Sequence, residues 1–224
     1  MSIQGITEQD IANYLANTPD FFERQAQLLA SVQLTSPHGN RAVSLQERQA
    51  EMLREKIKAL EHRIMDMVRH GNENMVISDR IHRWARSMLL VQSGRALPAT
   101  LLAELKNQFM VPQVALKVWD VDVRYSTEPF ALGVSEDART FASSLTQPYC
   151  GINSGFEAVD WLDDPATALS VALIPLRAAP ADPAYGMLVL ASPDPQRFQS
   201  GLATDFLERI AELASAALAR LRPR

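Results

Sequence analysis

The sequence predicts an α/β chain of the α+β kind, with N-terminal helices, a long coiled-coil helix and a C-terminal antiparallel sheet domain. Three observations carry this. No proline occurs between Pro37 and Pro98, and the stretch from Ser44 to about Gln92 is charge-rich with apolar residues at helical spacing. Two apolar runs, Leu169–Arg177 and Tyr185–Ser192, flank a loop rich in proline and alanine, which reads as a hairpin. From about Gly201 onward, Phe206, Ile210, Leu213, Ala217 and Leu221 place one apolar face on a closing helix. The expected segments are 1–42, 43–94 and 95–224.

Thr7-Glu-Gln-Asp10 supplies an N-cap and early acids for a first short helix that uses Ile11, Tyr14 and Leu15. Thr18-Pro-Asp20 stops it and starts a second helix, with Thr18 as N-cap and Pro19 at the first helical position. That second helix would present Phe21, Phe22, Leu28, Leu29 and Val32. After the turn Ser36-Pro-His-Gly-Asn40, the run Ser44-Leu-Gln-Glu47 reads as a capping box. Leu53, Ile57, Leu60, Ile64 and Met67 then alternate in steps of four and three, the a/d seam of a coiled coil. Gly71 and Asn74 weaken the next positions, and a shifted seam resumes with Ile77, Ile81, Trp84, Met88 and Val91. A helix of this length spans about 75 Å, too long for a small domain to cover. A parallel homodimer through the seam, with Leu53, Ile57, Leu60, Ile64, Met67, Ile81, Trp84 and Met88 at the interface, is the leading expectation; an antiparallel fold-back onto the N-terminal helices is the alternative. Ser93-Gly94 ends the helix, a shorter one follows over 98–109, and Val114, Leu116 and Val118 alternate as a strand. Ser135–Thr146 reads as a helix, and Pro148–Gly151 as a turn or short strand.

Composition narrows the class. The net charge of −4 divides into −2 over 1–43, +3 over 44–96 and −5 over 97–224, and neither extreme by itself implies a nucleic-acid or membrane surface; nucleic acid is not an expected partner. The longest apolar runs are far short of a bilayer-spanning helix, and no charged start leads into an apolar stretch. The single cysteine, Cys150, excludes an intrachain disulfide framework and fits a reducing compartment. A cytoplasmic protein without a membrane segment is expected.

The C-terminal part resembles a GAF domain on Ala172-Leu-Ile-Pro-Leu176, Gly186-Met-Leu-Val-Leu190, Ser192-Pro-Asp-Pro195 with Phe198, and the closing helix. The whole chain resembles the DUF-484 family of bacterial GAF-like proteins. Thr18-Pro-Asp-Phe-Phe22, Pro37-His38, Val43-Ser-Leu-Gln-Glu-Arg-Gln49, Leu53-Arg-Glu55, Tyr149-Cys-Gly151 and Asp194-Pro195 with Phe198 carry that likeness. The resemblance implies a central antiparallel sheet, helices on one face and a loop-lined pocket on the other. It implies no reaction. Relatives are often encoded beside a tyrosine-type site-specific recombinase, which the resemblance offers as a protein partner.

No catalytic or metal motif stands out. His38, His62, His70 and His82 all precede the sheet domain, so that domain has no imidazole to act as a base or to hold a metal. Cys150 would need a nearby cation or helix N-terminus to be reactive, and packing is the expected role. Asp120 and Asp122, and Glu157, Asp160, Asp163 and Asp164, read as acidic loops. Arg80, Arg83 and Arg86 read as a coiled-coil flank. For a ligand, Trp119, Tyr125, Tyr149, Cys150 and Trp161 would line the pocket, with Arg124, Arg139 or Arg177 to hold an anion. The expectation is therefore a non-enzymatic regulatory or adaptor protein without cofactor or metal, whose GAF-like module binds a small molecule. The alternative is a scaffold for protein–protein interaction whose pocket is filled by its own side chains.

Overall fold

The computed structural model describes residues 5–31, 33–35, 42–199 and 205–223, with the backbone alone described from 29 to 47. The chain divides into two compact units, 1–72 and 73–224. In the first, α1 (Glu8–Asn17) opens on Thr7, whose hydroxyl accepts from the Asp10 N–H while the Asp10 carboxylate accepts from the Thr7 N–H. That capping box satisfies two of the orphaned amides of a helix start. Pro19 and Asp20 form a turn, and α2 (Phe21–Arg24) begins after them with Asp20 at the cap, two residues later than the sequence suggests. Next come α3 (Ala26–Ser31) and an antiparallel pair, β1 (Gln33–Thr35) with β2 (Ala42–Ser44), registered Gln33 to Ser44. The expected capping box at Ser44 and Glu47, the apolar Leu29 and Val32, and His38 lie outside the described side chains.

The long helix is present as α4 (Leu45–Leu90). Within the first unit, Leu53, Ile57, Leu60, Ile64 and Met67 are all exposed, at 53–72% of their accessible area. Within the second, Ile81, Trp84 and Met88 are buried in the core of their own chain, Trp84 completely. The expectation that these three lie on a dimer seam is corrected: their own domain already covers them. Trp84 also donates its indole N–H to the Leu101 carbonyl at 3.1 Å, which leaves no polar atom of that ring unsatisfied.

After α5 (Leu97–Phe109), a four-stranded antiparallel sheet forms from β3 (Gln113–Val118), β4 (Tyr149–Ile152), β5 (Ser170–Leu176) and β6 (Gly186–Ser192), in the order β3-β6-β5-β4. The residues expected as a turn or short strand before Gly151 are thus an edge strand. Every residue of β5 and β6 is buried, and alternate side chains serve opposite faces. On one face Leu116, Val118, Ala172, Ile174, Leu176, Leu188 and Leu190 pack with α5, the end of α4, and α7 (Asp205–Leu218). On the other, Ala115, Val171, Leu173, Met187, Val189 and Ala191 pack with α6 (Glu136–Ser144) and the short 3₁₀ segment Glu157–Trp161. Ser135 caps α6 by accepting from the Ala138 N–H. The fold class read from the sequence, N-terminal helices and a long helix followed by an antiparallel sheet domain, is the fold observed. No helix among the described residues is long and apolar enough to cross a membrane.

Trp84→Ala should therefore act inside one chain. Emptying that site should destabilise the sheet domain by about 3–5 kcal/mol, read by denaturant unfolding. Leu60→Ala should cost the domain itself less than about 0.5 kcal/mol, as at other exposed surface positions.

Candidate functional site

The residues expected around one pocket are separated by the pleat. Tyr149 and Cys150 are neighbours on β4, so their side chains leave opposite faces. Cys150 is buried in the core beneath α5 and α7, together with Tyr125. Tyr149 lies on the other face, its ring 5.1 Å from that of Phe156, which stacks on Phe141 at 5.5 Å. Trp119 and Trp161 belong to this second face as well. Trp119 is almost fully buried and donates its indole N–H to the Ala184 carbonyl at 2.7 Å, with the Arg139 guanidinium 6.0 Å from its ring. The aromatics expected to line a pocket there are packed against Val159, Leu162, Met187 and Val189. Arg124 stays exposed, paired with Asp122 at 3.3 Å and lying over the Tyr125 ring.

Arg177 has a different task. Its Nη2 donates to the carbonyls of Ala142, Ser143 and Leu145 at 3.0, 2.9 and 2.5 Å, and its Nη1 to that of Asp182 at 3.0 Å. It thus binds the unpaired carbonyls at the C-terminal end of α6, where a cation is favoured by the helix dipole. Two arginines that sequence reasoning passed over do the same elsewhere. Arg197 donates to the carbonyls of Phe109 and Met110 at the end of α5, and Arg220 to those of Met88 and Val91 at the end of α4. Each comes from a distant part of the sequence, so no local signal marks it.

A groove of 440 Å³ opens where β4 stops short of the end of β5. Pairing with β4 ends at Leu173, so Pro175 has no partner on that side and its missing N–H breaks no bond there. Pro148, Pro175, Ala179, Ala211 and Ala216 give the groove apolar walls, Glu208 and Glu212 stand on the α7 side, and Arg177 is the expected ligand residue that reaches it. A second groove of 320 Å³ lies between the C-terminal part of α4 and α7, lined by His82, Arg209 and Glu212 among others. Of the basic stripe, Arg83 donates to the Gln108 side chain at 3.1 Å.

The acidic loops are bonded into the frame. Glu157 accepts from the Ser135 N–H and hydroxyl, Asp122 accepts from the Arg124 N–H, and Asp164 donates its N–H to the Gln113 side chain. Among the described residues no group of His, Cys, Asp and Glu is arranged to hold a metal ion. Burial pushes the Cys150 thiol above its ordinary pKa, which keeps it protonated and poorly nucleophilic. Burial also pushes Tyr185 up to about 12, against the Ser215 side chain and the charge of Arg222, whose guanidinium lies 4.8 Å from the ring; its hydroxyl donates to the Ser215 carbonyl at 2.6 Å.

The model of the family described as "Protein of unknown function, DUF484" matches residues 1–222. No curated protein matches. Among solved structures, the chain is similar to the GAF domain of an Acinetobacter phosphoenolpyruvate-protein phosphotransferase, at 17% identity over 63% of this chain and 92% of that one, with a TM-score of 0.47. It is similar to the GAF domain of a putative sensor histidine kinase from Pseudomonas syringae pv. tomato, at 17% identity over 68% and 91%, with a TM-score of 0.45. A free methionine-R-sulfoxide reductase from Neisseria meningitidis, solved with its substrate, gives 18% identity over 64% and 88%, with a TM-score of 0.44. At such values no ligand or activity passes from those proteins to this chain.

Both buried titratable groups can be probed directly. Thiol labelling of Cys150 at pH 8 should be at least about 100-fold slower in the native protein than in denaturant, since burial blocks both access and ionisation. Tyr185 holds its proton more tightly when folded. Its contribution is complete below about pH 10 and is lost as the pH climbs through about 12, a change of roughly 2–3 kcal/mol. Tyr185→Phe should flatten that alkaline slope in pH-dependent unfolding, while leaving the Ser215 carbonyl without its donor.

Proposed function

The chain belongs to the DUF484 family, and we propose that it is a non-enzymatic regulatory or adaptor protein that self-associates through the exposed part of α4. The observation that carries this is the apolar stripe Leu53, Ile57, Leu60, Ile64 and Met67, with more than half of each residue's area open to water. Contiguous apolar surface of this kind marks an interaction site. The absence of enzymatic activity is supported by the raised, buried Cys150 thiol and by the Asp122 and Glu157 carboxylates, which are already bonded to the frame. The GAF-like domain then acts as a recognition or scaffolding module in the cytoplasm. Its client is a protein, and the site-specific recombinase implied by the family resemblance is the first to test.

A second reading is favoured by one observation, the 440 Å³ groove beside Arg177. Because that guanidinium is held by four backbone carbonyls, a small molecule there would meet apolar walls and the carboxylates of Glu208 and Glu212 rather than a free cation. Such a ligand would be apolar or weakly basic.

Replacing Ile57 and Leu60 together by Asp should convert the dimer to monomer, weakening association by at least about 100-fold, because four charges would enter one apolar seam. The melting transition of the sheet domain should not change. Sedimentation or native mass spectrometry reads the first outcome and thermal unfolding the second. A monomeric wild type at about 10 μM, a concentration at which specific dimers of ordinary affinity are formed, would end the self-association reading.

A further inference from the structure

We infer that the seam on α4 takes a second copy of this chain in parallel and in register, and that the charges flanking the seam set this direction. The inference rests on the self-association proposed above and specifies its geometry.

In the heptad that fits the exposed stripe, Ala50, Ile57 and Ile64 fall at a, and Leu53, Leu60 and Met67 at d. β-branched residues at a with leucine at d are the pattern of two-stranded parallel coils. The seam ends after Met67, where the next a and d positions are Gly71 and Asn74. The flanking g positions are Gln49, Lys56, Arg63 and His70, and the e positions Glu47, Arg54, Glu61 and Val68. In a parallel pair each g residue faces the e residue five positions later on the other helix. Lys56 then meets Glu61 of the second copy, twice by symmetry, and Arg63 meets the uncharged Val68. No like charges oppose each other.

In an antiparallel pair g faces g and e faces e. Layers that match a with d then set Lys56 against Arg63, again twice, and this repulsion offsets the attraction between Arg54 and Glu61. Within the chain, the helix's own ion pairs among the described residues are Arg48–Glu51 and Asp66–Arg69. Lys56 and Glu61 are therefore available to a second copy.

Opposite signs make the test decisive. In the full-length chain, Lys56→Glu should weaken dimerisation roughly tenfold at low salt, since it places two carboxylates against each other at both symmetric contacts. The double variant K56E/E61K should restore it. An antiparallel dimer would instead be tightened by K56E, because the new carboxylate would face Arg63. Tightening, or an unchanged dissociation constant, overturns the parallel assignment.

A covalent readout checks it independently. With Cys150 replaced by alanine, Leu53→Cys and Met67→Cys should each form an interchain disulfide alone under mild oxidation. An antiparallel seam would cross-link only a mixture of A50C and M67C chains. If the unoxidised wild type sediments as a monomer, self-association itself fails; a dimer that gives the antiparallel pattern leaves that reading intact and removes this one.

Discussion

Strands β5 and β6 are buried at every residue, so the sheet needs cover on both faces at once. A chain of this size meets that demand with helices, and each helix brought against the sheet leaves carbonyls at its C-terminal end that must find donors or water. Three of those ends are closed by arginines from elsewhere: Arg220 on α4, Arg197 on α5 and Arg177 on α6. Charge-assisted bonds of this kind are stronger than neutral ones, and they also fix where each helix stops. At the end of α5 the bond falls on Met110, which sits in the left-handed region with φ of 52°, a conformation that costs a residue with a side chain about 1–2 kcal/mol. The arginine's hydrogen bonds to the neighbouring carbonyls help hold that strained turn.

Double-sided burial also decides what remains for recognition. The face away from α5 and α7 is covered by Trp119, Val159, Leu162 and the partly buried Phe141, Phe156 and Trp161. The aromatics that looked like pocket lining in the sequence are the cover itself. Open space arises instead at the sheet edge, where β4 is shorter than β5 and proline is tolerated. The same demand for cover separates the two stretches of α4. Its last turns commit their apolar residues to the domain core, while Leu53, Ile57, Leu60, Ile64 and Met67 stay exposed, with no cover among the described residues of their own unit.

Much of this was legible in the sequence. The strands were readable because period-two alternation and continuous apolar runs follow directly from burial on one face or two. The long helix was readable from its missing prolines and its four-three spacing. What faces that spacing was not. Ile81, Trp84 and Met88 repeat like a seam, but periodicity reports that a face is covered, not whether a second chain or the same chain covers it. The split of the expected site has an equally local cause. Tyr149 and Cys150 share one pocket only if the segment is a turn; as a strand, adjacent residues must diverge. The arginine caps had no signature because donor and acceptors are 32 or more residues apart.

Several polar groups of the sheet domain are already committed to its backbone. Glu157 holds the start of α6 through Ser135, Asp122 holds the turn at Arg124, the Tyr185 hydroxyl holds the Ser215 carbonyl, and Arg177 holds four carbonyls. To serve a ligand, Tyr185 or Arg177 would have to release backbone carbonyls that are buried or partly buried, and such a carbonyl left unpaired costs about 1–3 kcal/mol. A ligand would need to offset that before it bound at all. The apolar stripe of α4 carries no such penalty. Covering it releases water from surface that has no competing partner, and each buried leucine- or isoleucine-sized side chain contributes about 1.5–3 kcal/mol. On the self-association proposed above, recognition therefore falls where the side chains are least committed, which is on the helix rather than in the domain.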